Sequence, residues 1–403
     1  MKVTRTERHI IPKSNSLWKV CDELCFKSKN LYNYANYIIR QRFINNEGIP
    51  KYNDLTYQLK TSEPFKDLGS NSSQHVLKML CKDWKSFMVG LKQYNKSSKG
   101  FLGRPKIPKY KSKNGRHICV LTNMQSQIKD GYLFFAFKPL KPYNNKIRTK
   151  INGKHMQTRI VPQGGCYVLE IVYEIEVPDT KEESHRIIGI DLGIDNFATI
   201  SNNIGAKSII INGKEIKSIN TYYNKLISKY KSLAKTNNNL DITKRIRNIT
   251  NKRNNKLDYM LHKASKEIIN YCVGLDIDTI VIGQNKEWKQ ESNLRKAVNQ
   301  TFVQIPYFKF INMIKYKAEN IGIKVILTDE SYTSGTSFLD KEEPTKENYN
   351  KKRRKYRGLF VSDEGTEINA DLNGAYQIIK KVFPNAFANG IEGVDLHPVV
   401  INI

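Results

Sequence analysis

From Arg186 onward, short apolar runs alternate with long amphipathic stretches, and this order constrains the fold more than any other feature. The runs IIGIDLG, NFATIS and SIIIN precede a helical pattern from about 216 to 272. DTIVIG, PYFKFINMIKYKAENIG, KVILTDE and a helical pattern from about 373 follow. Apolar runs of about four to eight residues are typical of strands, and longer stretches with a period near 3.6 are typical of helices. The sequence therefore predicts an α/β domain over residues 186–403, with the order of elements found in RNase H-like domains.

The first half of the chain has a different pattern. Helical spacing recurs from residue 16 to about residue 95, and β-rich runs divided by turn sequences fill residues 116–180. With a first strand near the N-terminus, this predicts a β-barrel built from residues 1–15 and 116–185, interrupted by a helical insertion with a basic linker over residues 16–115. The predicted fold class is multidomain α+β.

A large excess of basic residues indicates a polyanionic partner. The chain has 67 Lys and Arg against 38 Asp and Glu, a net charge of +29. Like charges repel one another in a compact state, so nucleic acid is the expected partner, and a ribosomal or membrane-surface protein is the alternative.

The basic residues are concentrated in two places. Trp84 to Lys129 contains eleven Lys and Arg and no acid, which favours a surface that follows a phosphate backbone over a merely solvated loop. A second basic group lies on the later helical stretch, beside a predicted apolar stripe of Ile242, Ile246, Ile249, Leu257 and Leu261. The predicted nucleic-acid contacts are Lys96, Lys99, Arg104, Lys106, Lys109, Lys111, Lys113 and Arg116 in the first group, and Lys244, Arg245 and Arg247 in the second.

Membrane and disulfide classes are disfavoured. No apolar run reaches the ~18 residues of a spanning helix, and no signal-peptide pattern is readable. The six cysteines are scattered without a CxxC, so neither a disulfide framework nor a cysteine zinc site is expected. We expect a cytoplasmic protein with no membrane partner and no small-molecule cofactor.

Two acids stand where metal-dependent phosphodiester chemistry needs them. Asp191 ends an apolar strand, and Asp371 stands at the start of the last helix. A carboxylate in an apolar strand is costly without a partner, and carboxylates at neighbouring strand ends hold the divalent ions of two-metal hydrolysis. A turn residue at 191 and a helix N-cap at 371 are the simpler interpretations. The pair in these positions predicts a Mg²⁺ site.

Four segments carry a resemblance to a known family: GIDLGIDNFATIS, YKAENIGIKVI, ESYTSGTSFLD and INADLNGAYQIIKK. They resemble the transposon-encoded TnpB (OrfB) proteins, RNA-guided DNA endonucleases with an RNase H-like nuclease domain of the RuvC type. The resemblance implies a Mg²⁺-dependent endonuclease of an insertion-sequence element, with two ions for which Mn²⁺ can substitute. It also implies a guide RNA from the protein's own locus and a double-stranded target DNA that is cut beside a short flanking motif. The protein is then expected in a prokaryotic cytoplasm, associated with the nucleoid when it is bound to DNA.

The chain departs from this family at the middle catalytic acid. Most members have a glutamate at the end of the fourth strand, where this chain has Gly283. The resemblance points to Glu330, after the fifth strand, as the third ligand with Asp191 and Asp371, because a branch that includes the eukaryotic Fanzor relatives uses such a relocated glutamate. Glu287 and Glu291 are rivals, and a site without a third acid stays open.

A second departure concerns zinc. Many relatives insert a four-cysteine ribbon, and the corresponding positions here are Ser337, Asp340, Val361 and Glu364. Since none is cysteine, no zinc is expected. Residues 341–358 are predicted to be a mobile basic loop.

Some contacts and alternatives stay open. By resemblance, residues 1–185 read the flanking motif, with Tyr32, Tyr34, Asn36 and Tyr37 as candidates, and Trp288 either stacks on a nucleotide or lies in a core. Guided DNA binding without cleavage, as in a repressor, is the alternative function that Gly283 favours and that Asp191 and Asp371 oppose. A DNA transposase comes last, because no tyrosine or serine nucleophile motif is evident.

Overall fold

The computed structural model describes residues 1–284, 304–356, 358–388, 390 and 393–403. The chain divides into two compact units: residues 2–176, the N-terminal unit, and Met1 with residues 177–403, the C-terminal unit. Both contain helices and strands, so the predicted α+β class is confirmed. Among the described residues, no helix is both long and apolar enough to cross a membrane. The division at residues 15, 115 and 185 stays a prediction.

The N-terminal unit starts with a strand, continues with four helices and returns to strands. An antiparallel sheet has the order β1-β6-β5-β2, and β3 pairs with β4 as a separate hairpin. The predicted strands and helices are thus present, while closure into a barrel stays a prediction. The elements are β1 (Lys2–Ile11), α1 (Trp18–Ile44), α2 (Tyr52–Leu59), α3 (Glu63–Leu68), α4 (Ser70–Lys96), β2 (Cys119–Thr122), β3 (Ser126–Lys129), β4 (Tyr132–Phe135), a 3₁₀ helix (Lys138–Tyr143), β5 (Lys154–Gln163) and β6 (Cys166–Glu176).

Two turn sequences set the hairpins of this unit. Asp130 and Gly131 join β3 to β4 with φ of 50° and 74°, and Gly164 and Gly165 join β5 to β6 with φ of 51° and 96°. Two-residue hairpins favour turns in which both central residues have positive φ. At these two positions, turn sequences therefore divide the β-rich runs as the sequence predicts.

Helices α1 and α4 pack together through a core that also contains polar side chains. The indole N–H of Trp84 donates to Asn36 Oδ1 at 2.9 Å, and the Asn36 amide donates to the Pro108 carbonyl at 3.1 Å. The Tyr32 hydroxyl is also buried and donates to Asp83 at 3.4 Å. Of the four candidate motif readers, only Tyr34 and Tyr37 are therefore exposed.

His117 is packed inside the N-terminal unit. Its backbone N–H donates to the Cys25 carbonyl, its ring lies 4.7 Å from the Tyr32 ring, and its Nδ1 lies 3.1 Å from Ser28 Oγ. Burial, with a smaller contribution from Lys111, lowers the pKa of His117 to about 4. The imidazole is consequently neutral at pH 7.

We expect the protein to lose stability as the pH falls from 6.5 to about 4. The unfolded chain protonates His117 below its ordinary pKa of 6.5, whereas the folded chain resists protonation down to about 4. The contribution of neutral His117 to the free energy of unfolding is fully present above pH 6.5. At most about 3 kcal/mol of it is lost as the pH falls to about 4. Urea unfolding across the window measures it, and His117→Gln should reduce the pH dependence. The exposed His397→Gln serves as the control, and an unchanged pH dependence in His117→Gln would contradict the assignment.

The C-terminal unit contains the alternating strands and helices that the sequence predicts. Its six-stranded sheet has the order β11-β10-β7-β8-β9-β15, with β7, β10 and β11 parallel to one another. A second sheet joins β12, β13 and β14. The elements are β7 (Ile187–Leu192), β8 (Asn196–Asn202), β9 (Ile209–Asn212), α5 (Lys214–Asn238), α6 (Lys244–Gly274), β10 (Thr279–Gly283), α7 (Tyr307–Glu319), β11 (Lys324–Thr328), a 3₁₀ helix (Lys351–Arg353), β12 (Arg354–Tyr356), β13 (Leu359–Val361), β14 (Glu367–Asn369), α8 (Ala370–Val382) and β15 (Val399–Ile401).

Strand β7 lies in the middle of the main sheet because it can be buried on both faces. Ile187 to Ile190 are all buried, which is typical of strands in parallel sheets. A Cβ at Gly189 would lie 2.3 Å from the Ala375 carbonyl oxygen. Glycine at this position therefore allows α8 to pack closely against β7.

Three details differ from the sequence-based expectation. The long helical stretch is two helices, broken at Asn239, whose φ is 50°. Ile242 lies before α6 and is 57% exposed, so its assignment to the buried stripe was wrong, while Ile246, Leu257 and Leu261 are buried. The mobile-loop prediction is wrong for residues 351–356, which form the 3₁₀ helix and β12.

Candidate active site

The carboxyl ends of three parallel strands bring the predicted site residues to one edge of the main sheet. Ile190 pairs with Ile282, one residue before Asp191 and Gly283, and Gly283 pairs with Thr328. Glu330 follows two residues after Thr328. The register therefore places Asp191 and Glu330 at the same edge, with Gly283 on the strand between them.

Helix α8 adds Asp371 to this edge. The Asn369 side chain caps the helix by accepting from the backbone N–H of Asp371 at 3.0 Å and of Leu372 at 3.1 Å. The N-cap interpretation of Asp371 is therefore wrong, since Asp371 lies in the first helical turn. A Cβ at Gly374 would lie only 3.2 Å from Asp191 Oδ2. The same turn consequently packs against the Asp191 carboxylate.

The three carboxylates interact electrostatically. Although part of Asp191 is accessible to solvent, the surrounding protein desolvates its carboxylate and raises its pKa well above the ordinary value. Asp371 and Glu330 raise the pKa of Asp191 further, and Arg354 opposes them. A negative potential is thus concentrated at Asp191, which is the condition under which a bound cation is most stabilising.

Glu330 occupies the space beside the missing acid. A Cβ built on Gly283 would lie 3.4 Å from Glu330 Cβ and 2.6 Å from Ile378 Cδ1. A larger residue at 283 would have to displace Ile378, and its side chain would begin next to that of Glu330. The neighbouring Asp329 contacts other groups: it is 58% exposed and lies 3.7 Å from Lys381 Nζ.

Asp371 is held by two side chains that the sequence did not single out. Asn196 donates from Nδ2 to Asp371 Oδ2 at 2.8 Å, and Arg354 donates from its guanidinium to Oδ1 at 2.7 Å. Arg354 lies in β12, within the segment that was expected to be a mobile loop. The only available signal was the basic run KKRRK, which does not indicate a contact with Asp371.

Tyr307 is a further neighbour that the sequence analysis missed. Its buried hydroxyl donates to the carbonyl of Gly193 at 2.9 Å, two residues after Asp191. Burial raises the pKa of Tyr307, and Glu330 and Asp191 raise it further. Tyr307 therefore remains neutral and connects α7 to the turn that follows Asp191.

The donor set fits a hard cation. Carboxylate oxygens are the ligands that Mg²⁺ prefers, and here the Asp191 carboxylate interacts with those of Asp371 and Glu330. Within the described residues, no group of three or more His, Cys, Asp or Glu is already arranged so that it could hold a metal ion. The chemistry of the residues fits Mg²⁺, while the ion pair with Arg354 occupies one oxygen of Asp371.

The positions that correspond to a zinc ribbon lie near a network of ion pairs. The Ser337 backbone N–H donates to the Glu342 carboxylate at 2.8 Å, and Arg353 contacts both Glu342 and Asp363. The Asp363 N–H in turn donates to Asp340 at 2.9 Å. Charged hydrogen bonds therefore link the segments around residues 340 and 363. The absence of zinc stays a prediction.

The acid-free segment contains both exposed and engaged cations. Lys111 lies 4.6 Å from the Tyr32 ring, and Arg116 makes a two-pronged ion pair with Asp22 at 3.0 and 2.8 Å. These two side chains contribute to the packing of the N-terminal unit. The other six predicted contacts of this group are exposed: Lys96, Lys99, Arg104, Lys106, Lys109 and Lys113.

The second basic group lies at the start of α6. Lys244, Arg245 and Arg247 are exposed, and the Arg245 guanidinium lies 4.2 Å from the centre of the Tyr230 ring. The rival acids Glu287 and Glu291, and Trp288, lie outside the described residues.

Comparisons with known proteins match the motifs named above. The family model OrfB_IS605, described as a probable transposase, matches residues 170–289, and the Cas12f1-like TNB domain matches residues 307–378. The chain is 25% identical over 394 residues to the TnpB-like protein ORF457 of Acidianus two-tailed virus. The alignment covers 88% of this chain and 81% of that protein. It is 28% identical over 291 residues to the CRISPR-associated endodeoxyribonuclease Cas12f2 of a Micrarchaeota archaeon. This alignment covers 66% of this chain and 48% of that protein.

A solved structure of the mini-RNA-guided endonuclease CRISPR-Cas_phi3 aligns with a TM-score of 0.45 and 11% identity, covering 99% of this chain and 93% of that one. The family models and the two relatives confirm the resemblance carried by the motifs. The chain is thus similar to the TnpB (OrfB) and Cas12f proteins, and the matched family models cover residues 170–289 and 307–378.

Proposed function

We propose that the protein is an RNA-guided, Mg²⁺-dependent DNA endonuclease whose C-terminal unit is an RNase H-like domain of the RuvC type. The observation that carries the proposal is geometric: parallel strands β7 and β11 end at one edge of the sheet beside Asp191 and Glu330, and a Cβ on Gly374, in the helical turn after Asp371, would lie 3.2 Å from Asp191 Oδ2. The relative named Cas12f2 is an endodeoxyribonuclease, which supports the same class of activity here. The ordering of strands β7 to β11 also supports the RNase H-like assignment.

In this proposal Asp191, Glu330 and Asp371 hold the divalent ions. Mg²⁺ held by these carboxylates would supply activation of a water molecule and stabilisation of the leaving oxygen of the phosphodiester. Asn196 orients the Asp371 carboxylate by its hydrogen bond. Arg354, once released from Asp371, supplies a guanidinium that can bind a phosphate oxygen. Tyr307 fixes the turn after Asp191.

The N-terminal unit and the basic surfaces would bind the nucleic acids. The exposed cations of the acid-free segment would follow phosphates of RNA or DNA, and those of α6 would line the guide–target heteroduplex. The exposed Tyr34 and Tyr37 are the remaining candidates of the four for contacts with a flanking DNA motif. Guide pairing would supply the sequence specificity, since proteins of this kind read heteroduplex shape.

Co-expression of the protein with RNA from its own locus tests the proposal. The purified complex should cut a plasmid that carries the guide-matched target beside the correct flanking sequence, and EDTA should stop the reaction. A library of flanking sequences identifies the motif. Cleavage that does not depend on the RNA would contradict guidance.

Guided binding without cleavage is the second candidate. It is favoured by Gly283 and by the ion pair that occupies Asp371. Under this alternative the complex would protect the target from nuclease digestion but leave it uncut in Mg²⁺ and in Mn²⁺. Cutting in either ion would exclude it.

Reversing the charge of Lys106, Lys109 and Lys113 together should weaken the salt dependence of RNA binding. Each phosphate that a cation neutralises releases counterions, so losing three contacts should lower the slope of log K against log salt by roughly two to three. Affinity measured over a salt series gives the slope. The triple variant of the exposed Lys51, Lys60 and Lys66 changes the charge equally and should leave more of the slope intact. Equal slopes in the two variants would show that the RNA-binding surface lies elsewhere.

A further inference from the structure

Helices α5 and α6 leave a groove between them that no residue of the candidate active site lines. Its volume is about 190 Å³, the space of roughly six water molecules and of the order of one heteroaromatic ring system. Each helix contributes one face with the spacing i, i+3, i+4, i+7. The lining residues are Ile219, Tyr222, Tyr223 and Leu226 from α5, and Ile249, Lys252, Arg253 and Lys256 from α6.

The groove has an apolar floor and aromatic walls. Ile219, Leu226 and Ile249 are only partly buried, so the two helices do not cover their apolar faces completely. The Tyr223 hydroxyl lies 3.2 Å from Thr250 Oγ1 and ties the helices together. Within the part of the chain that the structure describes, the Tyr222 hydroxyl makes no such tie between the helices, and the residue is 65% exposed. Its ring face is available for stacking.

Cations surround this apolar surface. Lys252 and Lys256 are exposed on its α6 side. Arg253 is fixed by hydrogen bonds to Asn220 Oδ1 at 2.9 and 2.7 Å, and its guanidinium lies 5.3 Å from the Tyr223 ring centre. The two helices together contain fourteen Lys and Arg and three Asp and Glu. A ligand that suits the groove therefore combines a flat apolar ring with negative charge.

We propose that this groove binds one unpaired base of a single-stranded RNA segment, with Tyr222 stacking on the base and Lys252 and Lys256 contacting the adjoining phosphates. An unpaired nucleotide carries both features, and base–aromatic stacking with flanking cations is a general mode of single-strand recognition. RNA is the favoured source because folded RNAs present unstacked bases in loops and bulges. This inference rests on the proposed function, because it takes RNA to be a partner of the protein.

Binding to a short oligo(A) RNA, compared with a ribose-phosphate strand of the same length without bases, tests the proposal. Tyr222→Ala should weaken binding to oligo(A) about tenfold and should change binding to the abasic strand less than about twofold. Tyr222→Trp should restore binding to oligo(A). Because Tyr222 is largely exposed, its replacement removes little core packing. Tyr259→Ala is the matched control, since Tyr259 is a 67% exposed tyrosine of α6 that does not line the groove.

Wild-type affinity of Tyr222→Ala for oligo(A), or an equal loss on the abasic strand, would overturn the base site. A loss confined to single-stranded DNA would overturn the assignment to RNA. Binding is measured on the protein without guide RNA or target DNA. If the protein did not cut DNA under guidance, the proposed function would be contradicted, but the oligo(A) comparison would still test the base site. Lys252→Gln should weaken binding to both strands, because it removes a phosphate contact.

Discussion

Replacing Asp191 with alanine should lower DNA cleavage by at least about a thousandfold while guided DNA binding changes little. Metal-assisted hydrolysis stabilises the transition state by several kcal/mol, and each 1.36 kcal/mol is about a factor of ten in rate. Asp191 is the acid whose pKa both other carboxylates raise, so its removal should affect every divalent ion held between them. Cleavage and binding of the same guide–target pair measure the two effects separately.

Thermal stability distinguishes this loss from unfolding. Asp191 is desolvated beside two other carboxylates, so its ionised form destabilises the metal-free fold. Asp191→Ala should therefore melt no lower than the wild type in EDTA. Asp329→Ala removes a nearby exposed acid that pairs with Lys381, and it should cut at close to the wild-type rate. Loss of RNA binding in Asp191→Ala would count against the assignment.

The sequence alone identified the two acids whose position follows from local pattern. Asp191 ends a run of apolar residues that is typical of a strand, and Asp371 stands at the start of the last helical pattern. Their proximity was expected from the order of strands and helices in an RNase H-like domain, and in the structure the first turn of α8 packs against the Asp191 carboxylate. The simpler interpretation of Asp371 as an N-cap is wrong, because Asn369, two residues earlier, also has a capping side chain and takes that position.

The neighbours of these acids could not be found in the same way. Arg354 lies 17 residues before Asp371, and Tyr307 reaches Gly193 across 114 residues, so neither contact has a local signature. The polar core of the N-terminal unit was hidden for a similar reason. The sequence does not distinguish Tyr32 from Tyr34, since both are tyrosines on the same predicted helix. Asn36 and Tyr32 are buried where α1 packs against α4, and there Asn36 accepts the hydrogen bond of the Trp84 indole.

Gly283 is explained by tertiary packing as well. Read alone, a glycine in place of the family's glutamate indicates an inactive site. In the structure the position faces Ile378 and the base of the Glu330 side chain. A small residue at 283 and an acid at 330 are therefore compatible with each other, because the two side chains would begin in the same space.

Glu330→Gln should abolish cleavage and leave guided binding intact. The change keeps the shape of the side chain and removes its charge, so the space beside Gly283 stays filled while the third anionic ligand is lost. Two carboxylates would leave two divalent ions with too few anionic ligands, and we expect a loss of at least about a thousandfold. Plasmid cleavage in Mg²⁺ and in Mn²⁺, with target binding measured in parallel, gives the result.

The controls for Glu330→Gln are other acids that follow the fourth or the fifth strand in the sequence. Asp329→Asn tests the adjacent carboxylate, which is exposed and lies beside Lys381. Glu287→Gln and Glu291→Gln test the two rivals that follow the fourth strand. All three should cut normally, because none replaces the charge that Glu330 places next to Asp191. Wild-type cleavage by Glu330→Gln would show that the third ligand lies elsewhere, and loss of cutting in Glu287→Gln or Glu291→Gln would then locate it.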